Sequence, residues 1–283
     1  MSIEHKKAVN EKIIEALLEF HVPWRCDYGF PRNIATGLRY GGINPLLLNI
    51  SSERHKWTTC YWGTYDQWLS QGCYSKPQPP HIKIWEWCCE IVLYKPRFGG
   101  KMEQELGRWT VFNLDQIANG FNELRPPPKP ADFAVADVII ESTKADIRHK
   151  LGLEAAYYYA KDYIVFPFRE QFVQGGPPAY YNSLFHELVH WTEPRLKWDA
   201  TSEINELRAE IGAEYLCTEL GIPRLDISKR TNHKNHIDRW VAAMREDPDM
   251  IFKVTASASK SVDYILSYSQ EPKPRHNNPA EDC

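Results

Sequence analysis

Residues 183–192 read SLFHELVHWT, and the rest of the chain is best approached from this segment. His186 and His190 stand four apart. On an α-helix that spacing puts both on one face, about 6 Å apart along the axis. Two imidazole nitrogens so placed can converge on one Zn²⁺ at roughly 2.0–2.1 Å. Glu187 follows the first histidine, where a carboxylate can take a proton from metal-bound water. The neighbouring positions Leu184, Phe185, Leu188, Val189 and Trp191 are apolar, which suits a buried helix in a site that excludes water. The bland alternative, two histidines on a solvated helix face, does not call for such flanks.

A catalytic zinc site takes a third protein ligand and keeps one position open. The next helix is expected from Ser202, as its N-cap, to Leu220, with Gly221 and Pro223 ending it. Its main apolar stripe is Ile204, Leu207, Ile211 and Tyr215, and Glu206 falls on another side among Ala209, Ala213, Cys217 and Leu220. An unpaired carboxylate on so apolar a face is costly, so Glu206 is the expected third ligand. Glu203, Glu210 and Glu214 form a neighbouring charged stripe expected to face water. Glu210, one turn on, is the alternative ligand, or a group that orients a histidine from behind. Tyr180, Tyr181, His233 and His236 are candidates for steadying an oxyanion.

Composition bounds the class. The chain has 283 residues, 43% hydrophobic and 25% charged, which excludes a disordered, collagen-like or coiled-coil protein. Its net charge is −3, so it is no simple polycation for nucleic acid. Residues 1–125 carry fifteen Lys/Arg against thirteen Asp/Glu, a balance of +2, and the remainder nineteen against twenty-four, or −5. No apolar run approaches the ~18 residues needed to cross a bilayer. The N-terminus shows an amphipathic helix, with Val9, Ile13, Ile14, Leu17 and Leu18 on one side, and no signal-peptide core. Seven scattered cysteines form no CxxC, so reduced thiols in a cytoplasmic protein are expected.

The clearest boundary is Arg125-Pro-Pro-Pro-Lys-Pro130, where consecutive prolines exclude helix and central strand. The expected organisation is a domain at 1–125, a linker at 126–130, a second domain at 131–270 and a loose tail at 271–283. Before the linker, residues 82–95 alternate with period two, placing Trp85, Trp87, Cys89, Ile91 and Leu93 on one face of a strand. After it, a helix is expected over 131–143. Strands follow near 155–159 and 162–166, the latter expected to be an edge where an extended peptide pairs. Gly175-Gly-Pro-Pro178 then precedes the histidine helix. The fold class is α+β with two domains.

In the first half, Trp24-Arg25, Pro31-Arg32-Asn33 and Arg39-Tyr40-Gly-Gly-Ile-Asn44 mix cations, amides and glycines. Arg25, Arg32 and Arg39 are candidates for phosphate contacts, with Asn33 and Asn44 beside them. Trp24, Tyr40 and Trp62 are the aromatic candidates, and a base stacked on such a ring is worth ~1–3 kcal/mol. The alternative is that the glycines and asparagines mark turns and the tryptophans pack a sheet.

The order His-Glu-Leu-Val-His and then Asn205-Glu206-Leu-Arg-Ala-Glu210 resembles the gluzincin metallopeptidases, which implies that Glu206 binds zinc. A fuller resemblance runs through nearly the whole chain. PWR at 23–25, FPRNIATGLRYGGINPLLL at 30–48, TVFNLDQI at 110–117, ADIRH at 145–149, YYNSLFHELVHWT at 180–192, AEIGAEYLC at 209–217, IDRWVAAMREDP at 237–248 and IFKVTASASKSVDYIL at 251–266 resemble the ArdC antirestriction proteins of plasmids and phages. The resemblance implies an N-terminal single-stranded-DNA-binding domain followed by a zincin-like metallopeptidase domain. Two segments depart from that family's pattern: Gly72–Pro80, where a basic turn is usual, and Thr192-Glu193-Pro194, where a Gly-His pair is frequent. Two readings follow for the role of such a protein. One is a zinc peptidase acting on a host nuclease or another DNA-associated protein. The other is a non-catalytic coat for incoming single strands, with zinc as a structural staple. A third, an accessory to a primase or other replication function, finds no primase motif in this chain.

Overall fold

The computed structural model describes residues 3–20, 23–24, 28–95, 105–118, 132–152, 154–223 and 233–269. Helices combine with two small sheets, and runs of strands are followed by runs of helices, as in the α+β class. The N-terminal half runs α1 (Ile3–Phe20), β1 (Arg32–Asn33), α2 (Asn44–His55), β2 (Tyr61–Gly63), α3 (Tyr65–Ser70), α4 (Ile84–Trp87), β3 (Cys89–Lys95) and β4 (Glu105–Asn113). Its sheet has the order β1-β2-β4-β3, and β3 and β4 pair antiparallel from Cys89 opposite Val111 to Lys95 opposite Glu105. The C-terminal half runs α5 (Phe133–Thr143), β5 (Asp146–His149), β6 (Ala156–Tyr158), β7 (Tyr163–Phe166), α6 (Gly176–Trp191), α7 (Glu193–Leu196), α8 (Ser202–Glu219), α9 (His233–Glu246) and α10 (Met250–Ser267). Among the described residues no helix is long and apolar enough to cross a membrane.

Local chemistry explains the boundaries that matter. Gly175 takes the left-handed conformation (φ +92°) that a side chain disfavours, and prolines occupy the first turn of α6, where no backbone N–H is needed. The four-residue histidine spacing is therefore set on a long, regular helix. Helix α8 begins one residue later than its cap. Thr201 holds the extended cap position that Ser202 was expected to fill, although its side chain makes no capping bond. Gly221 (φ +65°) and Pro223 follow the other end.

Three expectations are revised. Residues 82–95 are not one strand: Ile84–Trp87 form a helical turn before β3 starts at Cys89. That turn delivers the Trp87 ring to Trp57, centroids 6.2 Å apart, so its burial comes from an aromatic cluster and not from strand alternation. Strand β7 is no edge, because β5 pairs parallel on one side of it and β6 antiparallel on the other. On α1, Val9, Ile13, Ile14 and Leu17 are buried as expected, while Leu18 is exposed. The proline segment at 125–130 lies outside the described residues.

One continuous apolar core joins both halves. Trp24 meets Trp240 edge-on at 5.8 Å and Phe30 meets Tyr215 at 5.1 Å. Polar ties follow the same seam. Asn10 donates to the Met244 carbonyl (2.9 Å), Lys6 pairs with Asp249 (2.9 Å), and the Gly42 N–H donates to Ser259 Oγ (2.9 Å).

Helix α8 is the axis of the C-terminal half, buried on every side from Leu207 to Thr218 and packed between α6 and α10. Gly212 sets how closely α6 approaches: a Cβ there would lie 2.7 Å from Val189 Cγ2 and 3.1 Å from its Cγ1. Valine is held to one rotamer in a helix and cannot swing away. Gly212→Ala is therefore expected to destabilise the protein by ~1–3 kcal/mol, the usual range for overpacking, as read from urea unfolding. Adding Val189→Ala should remove most of that penalty relative to Val189→Ala alone, because the two sites share one contact. Additive losses would place the strain elsewhere.

Candidate metal centre

The two helices that meet at Gly212 also carry the polar cluster. On α6 the His186 and His190 rings lie with centroids 4.9 Å apart, and their Nε2 atoms face each other at 3.1 Å. From α8, Glu206 brings Oε2 to 3.3 Å from His186 Nε2 and Oε1 to 3.5 Å from His190 Nε2. One donor atom from each of the three lies within 4.8 Å of the other two. Two nitrogens bound to one tetrahedral ion at 2.0–2.1 Å would sit about 3.3 Å apart, so the observed spacing fits a divalent ion with little movement. Electrostatics agree with the geometry. Burial works against protonating His186, but its contact with Glu206 and the charges of Glu187 and Glu210 outweigh burial and raise its pKa. The same contact with His186 lowers the Glu206 carboxyl, with His190 and His236 adding to the effect. The cluster is thus arranged around a site that favours positive charge.

Glu187 is buried one residue past the first histidine. Behind the rings stand two more carboxylates. Glu210 Oε2 lies 3.8 Å from His186 Nδ1, and Glu193 Oε1 lies 2.8 Å from His190 Nδ1. The expectation that Glu210 and Glu214 face water is overturned, since both are buried. Glu214 accepts a hydrogen bond from Asn182 Nδ2 at 3.0 Å. Glu203, in the first turn, is exposed as expected, and the stripe fails farther along because α8 has no wet face from Leu207 to Thr218. Glu193 was missed, although its signal was present: an acidic residue three positions after the second histidine continues the same helical face.

The proposed oxyanion groups separate. Tyr180 packs against Phe166 and Phe172, at 5.3 and 5.4 Å. Tyr181 is fully buried and donates to Asp137 (2.8 Å) while accepting from Arg169 (2.7 Å). Tyr180 thus packs toward β7 and Tyr181 toward α5, and neither has a described contact with the histidines. His236 on α9 is near enough to act on the Glu206 carboxyl. The His233 side chain lies outside the described residues.

The residues marked for DNA contacts have other partners. Trp24 and Trp62 are buried at 0% and 1% exposure, so neither presents a face to a base. Tyr40 is buried and accepts from Asn33 Nδ2 at 3.1 Å. Asn44 exchanges two hydrogen bonds with the Val92 backbone, each 2.8 Å. Asn33 Oδ1 caps the following turn through the N–H groups of Ala35 (3.0 Å) and Thr36 (3.1 Å). Arg32 pairs with Glu219, and Arg39 with Asp263 at 2.7 Å, both across the seam. Arg25 lies outside the described residues. The cation-and-glycine pattern is mostly a docking turn between the halves.

Comparison with known proteins follows these halves. Residues 4–107 match the N-terminal domain of anti-restriction factor ArdC, and residues 134–258 match a zincin-like metallopeptidase domain. The Mn(II)-bound crystal structure of the antirestriction ArdC protein from plasmid R388 superposes with a TM-score of 0.77 at 27% identity, over 96% of this chain and 99% of that one. This chain belongs to the ArdC-like family. A metal-free structure of the same R388 protein gives a TM-score of 0.74. Among curated relatives of this ArdC-like chain, an Escherichia coli DNA primase TraC is 28% identical over 94% of the chain. The chain spans only 20% of that primase and 27% of a second one. An uncharacterized protein of Sinorhizobium fredii matches at 25% identity over 91% of this chain and 90% of its own length.

The geometry predicts that the purified ArdC-like chain carries close to one divalent ion, measured by elemental analysis after metal-replete expression. His186→Ala/His190→Ala should abolish it. Glu206→Ala should weaken binding more than Glu210→Ala, and the reverse order would make Glu210 the ligand.

Proposed function

We propose that this chain is an antirestriction protein that holds single-stranded DNA and carries a zinc peptidase centre. The observation that supports this most directly is the convergence of His186, His190 and Glu206 with a buried carboxylate, Glu187, beside them. Two imidazoles and one carboxylate are the donor set of a catalytic zinc site with an open fourth position. When bound, Zn²⁺ polarises the scissile carbonyl and acidifies water. Glu187 takes the proton from the attacking water and passes it to the leaving amine. A purely structural ion has no need of that base. Of the oxyanion candidates, His236 is the one whose charge reaches the Glu206 carboxyl. An extended peptide would pair with β6, which α6 packs against and which, unlike β7, has one side unpaired by the described strands. The substrate class is a protein found at DNA, such as a host nuclease.

The DNA function rests on the family and on a different surface from the one expected. The N-terminal half exposes Tyr28, Tyr65, Tyr74 and Trp109, which offer ring faces that the buried tryptophans do not. The match to part of two DNA primases supports a module that works at DNA in more than one protein. It equally supports the second reading, a DNA coat in which hydrolysis plays no part.

Glu187→Gln separates the two. Gln keeps the shape and the metal but cannot act as a base, so peptide hydrolysis should fall by at least ~10²-fold. If proteolysis is the antirestriction mechanism, the variant also loses protection of incoming DNA in a transfer assay. Full protection by a variant that retains metal would establish the coating role instead. For DNA, the whole chain should bind single strands better than duplex, with an affinity that falls as salt rises. Tyr74→Ala/Trp109→Ala should weaken binding by ~1–3 kcal/mol for each stacked base lost. An unchanged affinity in fluorescence titration would place the bases on other side chains.

A further inference from the structure

The buried charges behind the metal centre form a second, separate arrangement. Arg208 on α8 is fully buried. Its guanidinium donates to the Val189 carbonyl (3.0 Å), to Thr192 Oγ1 (2.7 Å), to Ser257 Oγ (2.8 Å) and to Ser261 Oγ. These bonds tie the C-terminal end of α6 to α8 and α10. Glu193, also buried, places Oε1 3.6 Å from Arg208 Nη1 and 2.8 Å from His190 Nδ1. A lone buried charge on either residue would be strongly unfavourable, whereas the pair compensates. Local structure fixes the carboxylate as well. Thr192 ends α6, with its hydroxyl donating to the Val189 carbonyl at 2.6 Å, and Glu193 starts the next helical turn immediately, with Pro194 second.

We propose that Glu193 is a positioning residue for the metal: it holds the Nδ1 proton of His190, so that Nε2 presents its lone pair toward His186 and Glu206, and Arg208 anchors it in that place. A carboxylate accepting from the far nitrogen of a ligand histidine sets the tautomer and ring angle and raises the ligand's basicity. His190 Nε2 already faces His186 Nε2 at 3.1 Å, as the role requires. Glu210 stands farther off, at 3.8 Å from His186 Nδ1, so the closer control falls on the second histidine. This role rests on the metal centre described above.

The alternative is that Glu193 only neutralises Arg208, and the test is built to tell the two apart. Zn²⁺ affinity of the full chain is measured by competition with a chromophoric chelator, and stability by urea unfolding of the metal-free form. Glu193→Gln should weaken Zn²⁺ binding by about 10- to 100-fold and lower stability by leaving Arg208 uncompensated. In Glu193→Gln/Arg208→Met both charges are gone, so stability should recover while affinity stays low. Recovery of both in the double variant would mean that Glu193 is a counter-charge only, and overturns the proposal. So would unchanged affinity in Glu193→Gln. An unaltered chain that itself takes up no Zn²⁺ would overturn the metal centre as a whole, a different failure from a parent and variant that bind alike.

Discussion

The close crossing of α6 and α8 is the constraint on which the rest of the site depends. Helical spacing alone aligns His186 with His190, but the third donor arrives from another helix and must reach within a few ångströms. Gly212 permits this by leaving no Cβ against Val189. A glycine in a helix interior costs about 1 kcal/mol relative to alanine, and here the close packing of two helices offsets that cost. Arg208 then holds the same region from the other side through the Val189 carbonyl. Val189 therefore meets Gly212 with its side chain and Arg208 with its backbone, and the histidines flank it on the helix.

The second organising feature is the seam between the halves. The family domains fall on either side of it, yet the apolar core crosses it without a break. Helix α1 lies on α9, and the turn at 32–42 is clasped by Glu219, Ser259 and Asp263. Arg32 and Arg39 are thereby engaged in holding the protein together. A fragment cut at the prolines would expose Trp24 and Phe30, which the C-terminal half covers in the intact chain. The N-terminal half is thus a domain by descent and half of a shared core by physics.

The charge distribution has a common theme. Glu187, Glu193, Glu210 and Glu214 are all buried within one helical layer, with Arg208 among them. Such density of acid in a core is tolerable only where cations or donors face each group. The histidines, Arg208 and Asn182 supply these partners in the described contacts, and a divalent ion would complete the set. Thr192 and Glu193 belong to this layer, while Pro194 beside them is exposed.

From sequence alone came the α+β class and the histidine helix, because each follows from local periodicity. Glu206 does join the two histidines, although it is half-exposed and not the carboxylate buried on an apolar face that the sequence argument assumed. The amphipathic α1 and the end of α8 at Gly221 were equally local. What only the tertiary structure decided was which surfaces are wet. From Leu207 to Thr218 helix α8 is enclosed on all sides, so Glu210 and Glu214 are buried against expectation. Trp24 became core against Trp240 across the seam, and Trp62 and Asn44 against Trp57 and Val92 within the N-terminal half, although nothing in their own segments distinguishes a stacking ring from a packed one. Strand β7 was recognised but not its place in the middle of its sheet, since pairing with β5 is a non-local choice. Burial belongs to the whole fold, and a residue's neighbours in the chain do not determine what will lie against it.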